Sequence, residues 1–297
     1  MTLLVRDEAD IVRENIEFHL SQGVDYIVAI DNGSQDGTRD ILNEYERLGV
    51  LHLLDEKGRD YAQSKWVTKA ALLAREEFGA DWILNNDADE FWCPSGGNFK
   101  AVLQDRTAAI LKCQRFNMIQ AYDGPEDTPW FERLTYRAAQ PVTPPKLDDW
   151  YSSPLPCPYF YLDLPPKALV RAKKLTKVTQ GNHDARFSGW IRKIRTEDRI
   201  TIFHFPFRSR EQFERKIVNG GQAYMANLEL TEASGWHWRR WYRLIVEQGL
   251  DAALADALPS QEELREHLRA GRALEDARFR ELRNTIAPLS AAQGAAP

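Results

Sequence analysis

The sequence WILNNDADE, residues 82–90, combines a short apolar run with three acidic side chains. The apolar run 82–84 is typical of a buried strand, and such a strand would deliver Asp87, Asp89 and Glu90 into the loop that follows it. Three neighbouring carboxylates repel one another unless water or a cation separates them, and carboxylate oxygens suit Mg²⁺ or Mn²⁺. The stretch therefore predicts either a metal site at the end of a strand or an acidic surface turn.

Three further apolar runs precede this stretch, and an amphipathic segment follows each of them. The runs predict strands near residues 2–5, 26–30, 50–54 and 82–84, and the segments predict helices near residues 10–21, 38–48 and 61–78. A regular alternation of strand and helix indicates βαβ units and parallel strands. We therefore predict an α/β fold with a mostly parallel central sheet flanked by helices.

Charged side chains cluster where the predicted strands end. They are Arg6 and Glu8 after the first strand, Asp31 and Asp36 after the second, Arg59 and Lys65 after the third, and Asp87 and Asp89 after the fourth. Parallel sheets bind ligands outside the carboxyl ends of their strands. This convergence of carboxylates and cations on one sheet edge indicates a functional site. For Asp36 a structural role is the alternative, since Asp-Gly-Thr forms a turn and a helix cap without any ligand.

Three motifs in this half of the chain resemble those of a family 2-type glycosyltransferase. They are RDEADI at residues 6–11, DNGSQDGT at residues 31–38 and NDADEF at residues 86–91. The likeness is closest to the subgroup with the D-N-x-S-x-D-G-T and D-x-D-E-F pattern, which is related to family 92-type enzymes. It covers residues 2–92 and weakens afterwards. It implies a GT-A fold, a nucleotide-diphosphate sugar donor (expected to be a UDP-sugar), Mn²⁺ or Mg²⁺, and a glycan or glycolipid acceptor.

The resemblance also implies roles for the charged side chains. The residues expected to bind the nucleotide sugar are Arg6, Glu8, Asp31, Arg59, Lys65 and Asp87. Asp89 is expected to bind the metal directly, and Asp87 to reach the ribose or, through water, the metal. An ion bridging the two phosphates would offset the charge that develops as the glycosidic bond breaks. A surface ion pair is the alternative for Arg6 and Glu8, and a solvated helix face is the alternative for Lys65.

Two histidines in the second half of the chain are candidates for a third metal ligand, because imidazole also binds Mn²⁺. His183 lies in GNHD, residues 181–184, and His204 lies in FHFPFRS, residues 203–209. Both segments resemble parts of the related enzymes. We expect His183 to be the ligand, with His204 as the second choice, since a histidine flanked by aromatic residues is often part of a core.

The catalytic base is expected among three carboxylates. The resemblance implies an inverting transfer, in which a carboxylate deprotonates the acceptor hydroxyl during direct displacement. The candidates are Asp184, Asp127 and Asp123. Asp184 is preferred because it adjoins His183, and Asp127 is the next choice.

The chain divides into four predicted parts. Residues 1–92 form the nucleotide-sugar-binding half of a GT-A domain, residues 93–208 its acceptor-binding half, residues 209–285 a C-terminal helical region and residues 286–297 a disordered tail. The stretch 122–166 is rich in proline and aromatic residues, which predicts irregular acceptor-side loops. Most of its aromatic side chains are expected to fill a small core, and stacking of their faces on sugar rings is the alternative.

Two positively charged segments allow more than one interpretation. The run 167–177 is the most basic part of the chain, and a solvated face is the default, with contact to a donor diphosphate as the alternative. The segment 236–242, WHWRRWY, is expected to pack against the catalytic domain, with a membrane-surface or partner contact as the alternative.

Composition and charge narrow the class of protein. The chain has 297 residues, of which 43% are hydrophobic, and a net charge of -5, which argues against nucleic-acid binding. Three widely spaced cysteines indicate neither a disulfide framework nor a metal pair. We find no signal peptide and no apolar run of the ~18 residues that a transmembrane helix needs. A cytoplasmic protein is expected, and peripheral contact with the inner face of the membrane stays open.

Three alternative functions are compared with the motifs. A sugar-phosphate nucleotidyltransferase would need a glycine-rich phosphate loop after the first strand, where Arg6-Asp7-Glu8-Ala9 stands instead. A non-catalytic nucleotide- or glycan-binding module on a degenerate GT-A fold would not need the pair Asp87 and Asp89. A phosphatase of the haloacid dehalogenase type carries its D-x-D on the first strand. The sequence therefore favours a metal-dependent, inverting glycosyltransferase.

Overall fold

The computed structural model describes residues 1–58, 63–104, 107–149, 151–189, 193–226 and 235–286. The strands in these ranges are β1 Thr2–Val5, β2 Ile27–Asp31, β3 Leu51–Asp55, β4 Trp82–Asp87, β5 Glu90–Pro94, β6 Ile110–Asn117, β7 Tyr136–Ala138, β8 Lys167–Arg171, β9 Leu175–Val178, β10 Ala185–Phe187, β11 Ile194–His204 and β12 Ala273–Glu275. The helices are α1 Val12–Ser21, α2 Thr38–Arg47, α3 Gln63–Glu76, α4 Phe99–Val102, α5 Trp130–Arg133, α6 Arg210–Ala226, α7 Trp236–Gln248, α8 Leu250–Ala257, α9 Gln261–Arg269 and α10 Arg278–Arg283. Short 3₁₀ turns lie at Tyr159–Tyr161 and Gln180–Asn182.

The chain forms two compact units. The first contains Met1–Arg115, Pro165–Phe203 and the described residues from Leu282 onward, and the second contains Phe116–Leu164 and His204–Glu281. Each unit is therefore made from separate parts of the sequence. The four-part division expected from the sequence stays a prediction.

The first unit carries an eight-stranded sheet in the order β3-β2-β1-β4-β8-β6-β11-β5. The first four strands are parallel, as expected from the alternation of strands and helices. Strand β8 then pairs antiparallel with both β4 and β6, so the complete sheet is mixed. The predicted α/β fold with flanking helices and helices toward the C-terminus is confirmed, and its parallel part is the half that contains β1 to β4.

Strand β5 was not expected from the sequence, which placed Asp87, Asp89 and Glu90 in a loop after the fourth strand. Only Ala88 and Asp89 separate β4 from β5, yet β5 lies at the far edge of the sheet, four places from β4. Four strand spacings in a flat sheet would measure ~19 Å, whereas three virtual bonds of the chain reach at most ~11 Å. The sheet therefore curls, and the acidic turn lies where its β5 edge comes close to β4.

Helix α3 covers one face of the sheet and closes the core. The residues buried there come from α3, from β2, β4, β6 and β8, and from the hairpin β9–β10: Val28, Ile30, Trp66, Val67, Ala70, Ala71, Ala74, Ile83, Ile110, Ala168, Val170, Ala172, Leu175, Val178 and Ala185. These strands are apolar on successive residues because both of their faces are covered.

A buried polar network fixes the turn between β4 and β5. The Asn15 Nδ2 on α1 donates to the carbonyl oxygens of Ala88 at 2.8 Å and Glu90 at 2.9 Å. Its Oδ1 accepts from Asn86 Nδ2 at 2.9 Å, and the Asn86 oxygen in turn accepts from Trp92 Nε1 at 2.9 Å. Asn15 and Asn86 are almost completely buried. Because every one of these groups would be costly to leave unpaired, the network holds the acidic turn in one conformation.

The second unit contains the aromatic core expected for the Pro-rich stretch. Trp130 packs against Phe205 and Phe279, with ring centroids 4.9 and 6.0 Å away, and Tyr159 packs edge-on against Trp241 at 4.8 Å. Trp150 of the same stretch lies outside the described residues.

Helix α7 carries most of the aromatic-basic segment 236–242. Arg240 and Trp241 are buried within the second unit, and Arg240 forms a bidentate ion pair with Asp256 at 2.6 and 2.9 Å. These two side chains are therefore part of a core. None of the described helices is both long and apolar enough to cross a membrane.

We predict that Asn15→Ala lowers the free energy of unfolding by about 3 kcal/mol, because it leaves Asn86 Nδ2 and two carbonyl oxygens unpaired in the core. Asn43→Ala, at a half-buried position of α2 outside the core, should change it by less than about 0.5 kcal/mol. Urea unfolding followed by circular dichroism measures both. Equal effects of the two substitutions would contradict the role assigned to Asn15.

Stability should also fall in mild acid through His19. Its Nδ1 donates to the Asn15 carbonyl at 2.7 Å, its Nε2 accepts from Trp92 N at 3.2 Å, and burial lowers its pKa to about 3. The unfolded chain takes up a proton on His19 near pH 6.5 and the folded chain does not. The free energy of unfolding therefore falls by about 2 kcal/mol between pH 7.5 and pH 5. Urea unfolding at both pH values should show a smaller difference for His19→Gln than for the wild type. An unchanged difference would remove His19 as the cause.

Candidate active site

The carboxyl ends of β1, β2 and β4 bring Asp31 and Asp87 to one edge of the sheet. In the strand register Val5 is opposite Asp31, and Leu4 is opposite Asp87. The two aspartates therefore flank β1, with backbones about 10 Å apart at the usual strand spacing. Asp31 is buried, and the Asp87 side chain is 28% exposed. The predicted convergence of these two carboxylates at one sheet edge is what the structure shows.

The loops after β1 and β2 are tied together by Asp36. Its carboxylate accepts hydrogen bonds from Ala9 N at 3.0 Å, Thr38 N at 3.1 Å and Thr38 Oγ1 at 2.6 Å. Thr38 Oγ1 also accepts from Glu8 N at 2.9 Å. Asp36 thus joins the two loops and caps α2, which is the structural role that the sequence offered as an alternative.

Asp7 adds a second tie between the same loops. Its backbone lies in the left-handed region at φ 54°, which costs energy for a residue other than glycine. Its N–H donates to Ser34 Oγ at 3.0 Å, and its carboxylate accepts from Gln35 N at 2.8 Å. Strain that is held by such bonds is typical of functional loops.

Asp31 has a cationic neighbour that sequence reasoning missed. Arg39 on α2 lies 3.5 Å from the Asp31 carboxylate and is hydrogen-bonded to Asp55 at the end of β3. The hydrogen bond with Asp55 raises the pKa of Arg39, and the same bond lowers the pKa of Asp55. Asp31 also accepts from Ser34 N at 3.0 Å, so its carboxylate is oriented toward the loop after β2.

The other residues predicted to bind the nucleotide differ in their exposure and their contacts. The Arg6 side chain is 44% exposed and lies 3.8 Å from Asp7, whereas Glu8 is buried. Lys65 is exposed in the first turn of α3. Arg59 lies outside the described residues.

The Asp87 carboxylate is surrounded by donors. Lys167 Nζ lies 2.5 Å from Oδ2, and the Oδ1 atom accepts from Asn182 Nδ2 at 3.1 Å and Gln63 Nε2 at 3.3 Å. Three different elements, β8, α3 and the turn before β10, thus orient this one carboxylate.

Glu90 is the second acid of the site and is completely buried. Its Oε1 lies 2.6 Å from Arg115 Nη1 and 3.1 Å from Lys167 Nζ, and its Oε2 is buried without a hydrogen-bond partner. Lys167 is 1% exposed. The interpretation of Lys167 as part of a solvated basic face was therefore wrong, because the side chain is enclosed between two carboxylates.

The antiparallel pairing of β8 explains how Lys167 reaches the site. Leu84 is opposite Leu169 and Ile83 is opposite Val170, which puts the first residue of β8 beside the last residues of β4. A parallel neighbour would instead have brought its carboxyl end here. The direction of β8 thus decides that a cation, and not another acid, stands next to Asp87.

The turn before β10 is strained. Gly181 and Asn182 both have positive φ angles, 73° and 60°. Asn182 is 1% exposed, and its Oδ1 is buried without a hydrogen-bond partner while its Nδ2 bonds to Asp87. The Gly181 N–H donates to Gln63 Oε1 at 3.0 Å. The strain is thus held by contacts to α3 and to the acid of the site, which is characteristic of functional positions.

His183 follows this turn and is neutral at physiological pH. Its pKa is lowered to about 4, first by burial and then by the positive charges of Lys167 and Arg115. Its Nδ1 lies 3.1 Å from the Pro166 carbonyl, which only accepts, so Nδ1 carries the proton and Nε2 presents a lone pair. The charge of Asp87 also acts on His183, and the role of His183 as a metal ligand stays a prediction.

Asp184 borders the same group of charges. Its Oδ1 accepts from Ala185 N at 2.9 Å and lies 3.7 Å from Lys112 Nζ. Lys112, on β6, also donates to the carbonyl oxygen of His183. The Asp184 side chain is 32% exposed, so it is open to an approaching hydroxyl group.

The remaining candidates belong to the second unit. His204 Nδ1 lies 2.7 Å from Asn117 Oδ1, and Asn117 Nδ2 donates to the Phe160 carbonyl, which fixes the orientation of that amide. Asp127 is exposed. Asp123 accepts from Gln261 N at 2.7 Å at the start of α9, which gives it a structural role.

The oxygen-bearing side chains of the site fit a divalent ion that takes few of its ligands from the protein. Among the described residues no three His, Cys, Asp or Glu side chains are gathered closely enough to form a metal cage. Mg²⁺ at nucleotide sites is commonly bound by one or two carboxylates, with phosphate oxygens and water completing its shell. Asp87 and the buried Asp89 offer such carboxylates, and the unpartnered Asn182 Oδ1 is a further hard oxygen.

Four side chains of this site were not singled out from the sequence. They are Gln63, Arg115, Lys167 and Asn182. Lys167 had a usable signal, since a lysine directly before the apolar run Ala168-Leu169-Val170 marks the end of a buried strand. The other three come from elements whose neighbours are far away in the sequence, and no local pattern distinguishes them.

The comparisons with solved structures find chains of S. aureus TarS. TarS 1–349 in complex with UDP-GlcNAc is 14% identical, with 99% of this chain and 91% of that chain covered and a TM-score of 0.41. TarS 1–349 in complex with UDP is 13% identical, with 91% and 77% covered and a TM-score of 0.40. A longer TarS chain is 13% identical, with 91% and 52% covered and a TM-score of 0.39. No curated protein matches the chain.

Residues 2–122 match the family model described as glycosyltransferase family 92. The matched segment contains all three motifs and the strands β1 to β6, hence Asp31, Asp87, Asp89, Glu90 and Arg115. The resemblance to a family 92-related glycosyltransferase is confirmed, and so is the prediction that the chain is a glycosyltransferase.

We predict that Gly181→Ala displaces the His183 ring. An alanine Cβ at this position would lie 2.7 Å from His183 Nε2, in a backbone with φ 73°. Gly79→Ala is the matched control, because Gly79 has φ 63° with no atom within 4 Å of the added Cβ. Both substitutions should cost about 1 kcal/mol of stability through the left-handed backbone, but Gly181→Ala alone should shift the His183 ring resonances in NMR. Unshifted resonances would contradict the packing described for this turn.

Proposed function

We propose that the protein transfers a sugar from a nucleotide-diphosphate sugar, most simply a UDP-sugar, to a hydroxyl group of a glycan or glycolipid, with inversion and with Mn²⁺ or Mg²⁺. A cytoplasmic location, expected from the sequence, belongs to the same proposal. The observation that carries it is the placement of Asp31 and Asp87 on either side of β1, inside a segment that matches a glycosyltransferase family.

The donor would lie across the carboxyl ends of β1, β2 and β4. Asp31, buried and oriented by Ser34 N, is positioned to accept from a ribose hydroxyl or the base. Arg6 is 44% exposed and forms an ion pair with Asp7 at 3.8 Å, a weak contact that it can leave to approach the phosphates. Lys65 and Arg59 are proposed as further contacts of the diphosphate.

The acidic turn would hold the divalent ion. Asp89 is the proposed direct ligand, Asp87 a ligand directly or through water, and His183 Nε2 the proposed third donor, with His204 as the alternative. When bound, the ion supplies positive charge to the leaving nucleoside diphosphate. The two amide donors and the ammonium group on Asp87 hold this carboxylate in one orientation, so little reorganisation is needed when charge develops.

A carboxylate has to take the proton of the acceptor hydroxyl. Asp184 is proposed for this role because it is partly exposed and lies on the turn that also carries His183 and Asn182. Lys112, whose Nζ lies 3.7 Å from Asp184 Oδ1, would hold this carboxylate in place before the reaction. Asp127, exposed in the second unit, is the alternative base.

A screen of nucleotide sugars with Mn²⁺ tests the proposal. The matching donor, at about 100 times its Kd, should stabilise the fold by about 2.7 kcal/mol and raise the Tm by several degrees. Nucleotide release in the presence of glycan acceptors should then follow.

Asp89→Asn should abolish the metal-dependent part of the Tm shift and reduce nucleotide release at least about 100-fold, because the proposed ligand charge is lost. Asp25→Asn is the control, since Asp25 is exposed and lies before β2, at the opposite end of the strand from Asp31. A wild-type protein that no nucleotide sugar stabilises with metal would refute the transferase proposal. Binding without turnover on any acceptor would favour the non-catalytic module.

A further inference from the structure

Lys167 is the cation at the centre of the site. Its ammonium group lies 2.5 Å from Asp87 Oδ2 and 3.1 Å from Glu90 Oε1. The whole residue is only 1% exposed. Arg115 contacts the same oxygen, Glu90 Oε1, at 2.6 Å, with its side chain 11% exposed. Two carboxylates and two cations thus balance within one buried cluster.

Such a balance is needed because Glu90, Lys167 and Arg115 have little access to water, while the Asp87 side chain is 28% exposed. A buried carboxylate without a counter-charge is strongly destabilising, and Glu90 already has one oxygen without a partner. Removing Lys167 would leave Asp87 and Glu90 to share Arg115, which contacts only Glu90 within hydrogen-bonding distance. The charge of Asp87 is therefore neutralised mainly by Lys167.

This arrangement opposes a divalent ion in the free protein. An ion bound to Asp87 or its neighbour Asp89 would stand a few ångströms from the Lys167 ammonium group, where like charges repel strongly. The Asp87 carboxylate is also occupied on both oxygens, by Lys167 on Oδ2 and by Gln63 and Asn182 on Oδ1. A diphosphate carries the negative charge that reverses this repulsion and supplies the oxygens that complete the ion's coordination.

We propose that Lys167 sets the metal affinity of the site, so that a divalent ion binds tightly only together with the diphosphate of the donor. This inference rests on the proposed function, because it takes Asp89 and Asp87 as the metal-binding carboxylates. Linkage makes the coupling reciprocal, so the nucleotide also binds more tightly when the ion is present. Lys167 acts here as a positioning residue that touches Asp87 and neither the sugar nor the acceptor.

The test is a titration of Mn²⁺ into the full chain, with free Mn²⁺ measured by electron paramagnetic resonance, without and with saturating UDP. Weak binding at other acidic side chains is subtracted with Asp89→Asn. The wild type should bind Mn²⁺ at least about tenfold more tightly with UDP than without it. Lys167→Met should bind Mn²⁺ alone at least about tenfold more tightly than the wild type, so UDP should add less. Lys167→Arg keeps the charge and should behave like the wild type.

Glu90→Gln should have the opposite effect. It removes a negative charge but keeps the shape of the side chain, so the cluster gains a net positive charge and Mn²⁺ alone should bind at least about threefold more weakly. If Lys167→Met does not fold, as judged by circular dichroism, the double variant Lys167→Met/Glu90→Gln keeps the charges balanced. It should then bind Mn²⁺ at least about tenfold more tightly than Glu90→Gln.

The outcomes separate this inference from the function on which it rests. A folded Lys167→Met variant, or the double variant in its place, with unchanged Mn²⁺ affinity would overturn the role of Lys167, even if UDP and Mn²⁺ bind together in the wild type. A wild type that binds Mn²⁺ alone as tightly as with UDP would overturn it as well. A wild type that binds neither Mn²⁺ nor UDP above the Asp89→Asn background would refute both the inference and the proposed donor.

Discussion

The antiparallel pairing of β8 with β4 is the constraint on which the candidate active site depends. Parallel strands bring their carboxyl ends together, and in this chain those ends carry Asp31, Asp55 and Asp87. If the next strand were also parallel, Asp87 would lie beside another carboxyl end of a strand. By reversing direction, β8 brings its first residue, Lys167, beside Asp87 and inserts a cation into an acidic edge. The mixed sheet is thus an electrostatic requirement as well as a topological one.

The sequence predicted the parts of the fold that local patterns determine. Strands β1 to β4 and the helices between them follow from apolar runs and helical periodicity, and their observed bounds differ from the predicted ones by three residues or fewer. The ends of these strands also located Asp31 and Asp87, because strand direction within a βαβ unit is fixed. Strand β5 escaped prediction, since its pairing partner β11 is a hundred residues away and its sequence begins with charged Glu90.

The same limit applies to the site itself. Arg115, Lys167 and Asn182 come from three segments of the chain, and each meets Asp87 or Glu90 only after the sheet has formed. A charged residue is exposed by default, and only a buried opposite charge overrides that default. Neither the partner nor its burial can be seen from the residues around Lys167. What the sequence did indicate was an excess of acids at one edge, and an excess of buried charge requires a counter-charge from somewhere in the chain.

The electrostatic balance of the cluster bears on how a glycosyltransferase would reach its transition state. Catalysis requires interactions that are stronger in the transition state than in the ground state. If the acids of the site were permanently bound to a metal, the charge of the metal would act equally in the ground state and in the transition state. Here Lys167 and Arg115 keep Asp87 and Glu90 neutralised in the free protein. Under the proposed function, the positive charge of an ion would then be available to the diphosphate that binds with it, and its attraction would grow as negative charge accumulates on the leaving group. The buried lysine would therefore couple metal binding to the diphosphate whose departure the metal would assist.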